Sequence, residues 1–185
     1  MKALLFFLVA GSMVLAGSGP AQHLPVGRTY ESAPPVPAPG TCHIRGLLPD
    51  PRCTPGAANP AVTVSDLART ICHWGWTETV RPPERYTEPL KLRQMIAYGE
   101  HGSARFYEED HLVPLELGGA PSDPRNLWPE PRSSANRKDE VENAARRAVC
   151  DGRLALVSAQ EQIATDWVSL GRKLGVTAGR TNTGY

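Results

Sequence analysis

Four cysteines, Cys42, Cys53, Cys72 and Cys150, in a chain that opens with an export-type leader restrict its fold more than any other feature. An even set in an exported chain favours two disulfides over free thiols. No Cys-x-x-Cys pair occurs, so a structural zinc site is not supported. Three pairings can be drawn. A tight Cys42–Cys53 loop beside a long-range Cys72–Cys150 bridge is the most economical, and the second bridge would pin the end of a helix expected over 136–149 to the N-terminal half.

The leader reading rests on residues 1–21. Lys2 gives a positive start, residues 3–16 form an apolar run, and the small residues Ala16, Ser18 and Ala21 offer cleavage sites. The run is too short to span a bilayer, and Ser18 stands where a lipidated cysteine would be, so the expected product is soluble and secreted or periplasmic. Residues 22–40 are proline-rich and poor in apolar side chains, which predicts an extended linker. Residues 41–174 have the length of one domain, and 175–185 read as a loose tail. No internal repeat is visible.

Inside the domain, 64–72 reads as a short helix after Thr63 or Ser65. Residues 73–80 read as a strand or loop with Trp74 and Trp76 on one side, taken as core rather than as a stacking platform for bases. Residues 88–98 predict a helix stopped by Gly99. Ser158 and Glu161 form a capping-box signature for a last helix reaching Leu174, with Ile163, Trp167 and Leu170 on one face. Between these lie a strand with an irregular turn over 106–117, a turn-rich loop over 118–124, a return strand over 126–128, and the helix over 136–149. Ala144, Ala145 and Ala148 with Val141 and Val149 supply that helix's propensity and its apolar face.

The chemistry concentrates in Glu109-Asp110-His111-Leu112-Val113-Pro114, followed by Gly118-Gly119, Asn126-Leu127 and Asn136-Arg137-Lys138-Asp139. A one-metal phosphodiesterase site needs hard oxygen ligands and a base near a water molecule, and Asp110 and His111 supply both. This ordered set resembles the HNH, or His-Me finger, nuclease superfamily, over roughly residues 107–150. The resemblance implies an α+β fold: a ββα-metal finger embedded in a small helical, disulfide-stabilised single domain. It implies His111 as general base and Asp110 as a metal ligand, with Asn126, counted in the catalytic set, bracing the loop that orients the histidine. Asn136 would be the second protein ligand, early in its helix. Many members place a lysine three residues after that asparagine, whereas Lys138 follows Asn136 by two, and Asp139, three residues from Asn136 on the same helix face, is the alternative ligand. Arg125, Arg137 and Lys138 would clamp flanking phosphates.

The implied cofactor is a divalent cation, Mg²⁺ before others, and the implied partner is nucleic acid, DNA before RNA. Charge limits how tightly it would be held. Lys plus Arg number 20 and Asp plus Glu 19, and loss of Lys2 with the leader brings the mature chain near neutrality. Binders that rely on counterion release present a basic surface. The expected protein is therefore a monomeric endonuclease of modest affinity and little sequence discrimination. The alternative is a non-catalytic exported binding module that keeps the finger as a scaffold.

Overall fold

The structure is a computed structural model that describes residues 35–176. The leader, most of the expected linker and the end of the expected tail lie outside the described residues. Six regular elements follow in order: α1 (Trp76–Val80), α2 (Glu84–Ala97), β1 (Tyr107–His111), β2 (Leu127–Pro131), α3 (Arg132–Cys150) and α4 (Leu156–Lys173), with 3₁₀ turns at Val64–Arg69, Ala104–Phe106 and Leu115–Leu117. The fold is α+β, mostly helical around one two-stranded antiparallel sheet. Its register sets Glu108 opposite Glu130, Asp110 opposite Trp128 and His111 opposite Leu127.

Two five-residue strands cannot stand alone in water, and this hairpin is held by what packs on it. Leu127 joins Tyr86 and Leu90 of α2, and Trp128 joins Leu112, Ala97, Tyr98 and Cys42. Gln94 of α2 donates from Nε2 to the Leu127 carbonyl at 2.8 Å, tying helix to strand edge. The larger core lies between α3 and α4, where Val141, Ala145 and Val149 meet Ile163, Trp167 and Leu170. Gly171 makes that approach close: a Cβ there would stand 2.8 Å from Val141 Cγ2.

Both disulfides of the economical pairing are formed, Cys42–Cys53 and Cys72–Cys150. They fit an oxidising, extracellular-type environment. Among the described residues, no helix is long and apolar enough to cross a membrane.

Several boundaries differ from expectation. α3 starts at Arg132, with Pro131 extended before it, so Asn136 lies in the second turn and not the first. Ser134 anchors that early start by donating from Oγ to the Pro131 carbonyl at 2.8 Å. α2 starts at Glu84 and runs through Pro89, ending as expected before Gly99, whose φ is +69°. α4 starts at Leu156, ahead of Ser158, whose hydroxyl accepts from Gln162 and caps no backbone group. Ile163, Trp167 and Leu170 are nonetheless buried together. The segment read as strand or loop forms α1, and Trp74 is not core: it is 88% exposed, while Trp76 is half-buried against the main cluster. Part of the expected linker is docked, since Val36 packs on the Tyr86–Leu90–Leu127 cluster and Gly40 donates to the Ile96 carbonyl at 3.0 Å.

Candidate active site

The loop between β1 and β2 is built around one side chain. Asn126 is fully buried; its Oδ1 accepts from the Val113 and Ala57 amides at 2.9 and 3.2 Å, and its Nδ2 donates to the Val113 and Ala120 carbonyls at 2.9 and 3.1 Å. All its hydrogen-bonding positions are filled, so Asn126 positions the loop and does not reach a substrate. Gly118 closes the 3₁₀ turn in the left-handed region, at φ +71°. Gly119 has no room for a side chain, because a Cβ would fall 1.7 Å from the Val113 carbonyl oxygen. The paired glycines are thus required by backbone geometry.

The loop fixes His111 at the end of β1. Its Nε2 lies 2.9 Å from the Pro121 carbonyl oxygen. A carbonyl only accepts, so Nε2 carries the hydrogen in the neutral ring and Nδ1 keeps its lone pair. The ring is 6% exposed, and burial lowers its pKa to about 4. It is therefore neutral and proton-accepting across the physiological range.

His111 lines a cleft of about 480 Å³ whose other walls carry Glu108, Glu109, Asp110, Glu116, Asp139 and Glu142. Against these six carboxylates the lining holds one cationic side chain, Arg81, which is exposed and makes no ion pair among the described residues. Nothing local marked Arg81 in the sequence. It follows α1, far along the chain from the Asp-His pair, and only the folded topology brings it there.

Three carboxylates cluster on the hairpin. Glu108 and Asp110 alternate on one strand, Glu130 faces Glu108 across the register, and ligand oxygens of all three lie within 4.8 Å of one another. Glu130 is fully buried and both its oxygens lack a hydrogen-bond partner. Burial, and then the charge of Asp110, push its pKa up to about 9. An orphaned buried carboxyl beside two more hard oxygen donors is a donor set that fits a divalent cation. Glu108 and Glu130 escaped the sequence reading because their pairing depends on strand register.

Asp110 is held by two donors on one oxygen. Lys138 Nζ reaches its Oδ2 at 2.8 Å and Trp128 Nε1 at 3.3 Å. Lys138 is 1% exposed, and its remaining two protons go to Glu142 Oε1 at 2.5 Å and to the His111 carbonyl at 3.0 Å. Burial opposes its charge, but Asp110, Glu142 and Glu130 together hold its pKa above the ordinary lysine value. Glu142 is raised to about 7 by burial, against the lowering pull of the ammonium it shares with Asp110.

The expected ligands and clamps divide accordingly. Asp139 lines the cleft, its carboxyl raised by partial burial and by Asp110. Asn136 is placed in α3, but its side chain lies outside the described residues. Lys138 is no phosphate clamp, since each of its protons already has an acceptor inside the protein. Arg125 is exposed, away from the cleft lining, and paired with Asp123 at 2.6 Å. Arg137 is half-buried on α3 and is not among the cleft-lining residues. Compared with known family models, with curated proteins and with solved structures, the chain matches none.

Proposed function

We propose that this chain is a metal-dependent phosphodiesterase of the HNH type, an endonuclease acting on DNA before RNA, with β1, β2 and α3 as its ββα-metal finger. The observation that carries the reading is the neutral His111, with Nε2–H held by the Pro121 carbonyl and Nδ1 free to accept, next in sequence to Asp110 in a strongly acidic cleft. A cleft of six carboxylates repels a phosphodiester unless a cation is present, so the electrostatics favour a site completed by a divalent ion. Asp110, Glu108 and Glu130 are the residues that would hold it, with Asp139 and Asn136 as further candidates on α3. Mg²⁺ suits their oxygen donors, and when bound such an ion supplies positive charge to the phosphate and leaving oxygens.

The chain's own residues do the rest. His111 takes a proton from water at Nδ1 while Pro121 holds the ring in one tautomer. Lys138 fixes Asp110 through Oδ2 and leaves Oδ1 for a cation or water. Arg81 offers the cleft's guanidinium to the substrate phosphate.

Nicking of supercoiled plasmid by the purified protein, with Mg²⁺ and with EDTA, tests the reading. Cleavage should require the metal, and His111→Ala should lower the rate about 10²- to 10⁴-fold with the fold intact. A folded His111→Ala protein that nicks at the wild-type rate would exclude the mechanism.

One observation favours a second reading, a non-catalytic binding module. Lys138 already gives Asp110 a resident cation. Calorimetry separates the two: absence of Mg²⁺ and Mn²⁺ binding, together with absence of nicking, would favour the scaffold.

A further inference from the structure

We propose that Trp74 is a stacking platform for an unpaired nucleobase of the strand whose phosphate lies in the cleft, which makes the preferred substrate single-stranded or locally melted nucleic acid. This rests on the nuclease reading and goes further, because it names the form of the substrate.

The indole is 88% exposed, more than any other large apolar side chain among the described residues, and belongs to no core cluster. It is also rigidly placed. Two residues before it, Cys72 is bridged to Cys150, and two residues after it, Trp76 packs into the main core. Gly75, at φ +78°, makes the turn between them into α1. A ring exposed on a backbone anchored at both sides loses little freedom when it binds.

Trp74 borders a shallow groove with Ile71, His73, Thr77 and Arg146, and Glu116 lines both this groove and the acidic cleft. A strand with a phosphate beside His111 can therefore run past Glu116 and bring a neighbouring base onto the indole. Stacking is also the interaction this protein needs, since a nearly neutral chain gains little from counterion release while a base–aromatic contact is independent of charge. In a duplex both faces of an internal base are covered by its neighbours, so only an unpaired base offers a face to Trp74.

The test is binding of a fluorescently labelled single-stranded oligonucleotide and of its duplex, followed by anisotropy at fixed salt with Mg²⁺, in a His111→Ala background so that nothing is cut. Trp74→Ala should weaken single-strand binding roughly tenfold or more, the equivalent of one lost stack, while Trp74→Phe keeps most of the affinity. Duplex binding should be weaker and insensitive to both changes. Equal single-strand affinity with and without Trp74, or no single-strand binding at all, would overturn the proposal. So would a concentration-dependent dimer abolished by Trp74→Ala with oligonucleotide affinity unchanged, which would assign the indole to self-association. The arms fail separately: Trp74-dependent binding with cleavage of neither the plasmid nor the single-stranded oligonucleotide by the wild type removes the nuclease reading alone, and cleavage with Trp74-independent binding removes the stacking site alone.

Discussion

The two faces of α3 are buried by opposite means. Toward α4 it presents Val141, Ala145 and Val149, an apolar stripe held by dispersion and by water exclusion, in which no single contact depends on direction. Toward the hairpin it presents Lys138, whose three protons meet three fixed acceptors, with Glu142 one turn later on the same ammonium. The first face is tolerant because neighbouring side chains can shift to fill a gap. The second is all-or-none, because removing one partner strands a buried charge. One helix thus serves as a structural wall on one side and fixes the geometry of Asp110 on the other.

The bridge at the end of α3 bears on both faces, and its removal should have the largest effect. Replacing Cys72 and Cys150 by alanine frees a loop with a sequence separation of 78 and should cost roughly 4–5 kcal/mol, whereas the Cys42–Cys53 pair, with a separation of 11, should cost about 3 kcal/mol. Urea unfolding of the two double variants checks the order, and equal losses would contradict it.

Next, Lys138→Met should destabilise by about 3–5 kcal/mol, because Asp110 and Glu142 would remain buried without their shared cation. A loss below 1 kcal/mol in the same assay would mean that this face is as tolerant as the other.

The charged face should also feel pH, and the apolar one should not. His111 titrates near 4 in the folded chain against about 6.5 when unfolded, so the unfolded state binds its proton first on acidification. Its contribution is complete above pH 6.5 and is lost as pH falls from there toward 4, by up to about 3 kcal/mol. Glu130 acts with the opposite sign: raised to about 9 from 4.5, its contribution is present below pH 4.5 and is lost as pH rises toward 9. Unfolding of metal-free protein should show the acid slope reduced by His111→Asn and the alkaline slope reduced by Glu130→Gln, the remainder of the latter coming from Glu142, whose raised pKa of about 7 acts with the same sign as Glu130. Unaltered slopes in those variants would reject the assignment.

The smallest effect belongs to the apolar stripe. Val141→Ala should cost about 1.5 kcal/mol, some of it recovered as Gly171 and α4 close on the gap. A larger loss than that of Lys138→Met would invert the comparison.

The same division explains what the sequence made legible. The apolar face of α3, the Ile163–Trp167–Leu170 face of α4 and the disulfide pairing follow from periodicity and chain economy, whereas the bracing role of Asn126 came from the motif resemblance, since its local sequence reads only as a turn. The start of α3 was not legible, because Arg132-Ser133-Ser134 carry no apolar period and the helix begins there on tertiary support. Lys138 read as a phosphate clamp, since its burial depends on Asp110 and Glu142 converging on it. Glu130 and Arg81 enter the site through strand register and through a distant loop, which local pattern does not encode. Trp74 and Trp76 share one alternation in sequence, but only Trp76 found a core to enter.

The Cys72–Cys150 bond has a redox consequence. It ties the segment leading to Trp74 and Arg81 to the helix carrying Asp139 and Glu142, and so joins covalently the two walls between which a substrate would lie. In a reducing compartment those walls are held by packing of Ile71 and Trp76 in the α3–α4 core and by Arg146 Nη1 donating to the Ile71 carbonyl at 3.5 Å. The cleft therefore reaches its full rigidity only where the bond can form, in oxidising surroundings.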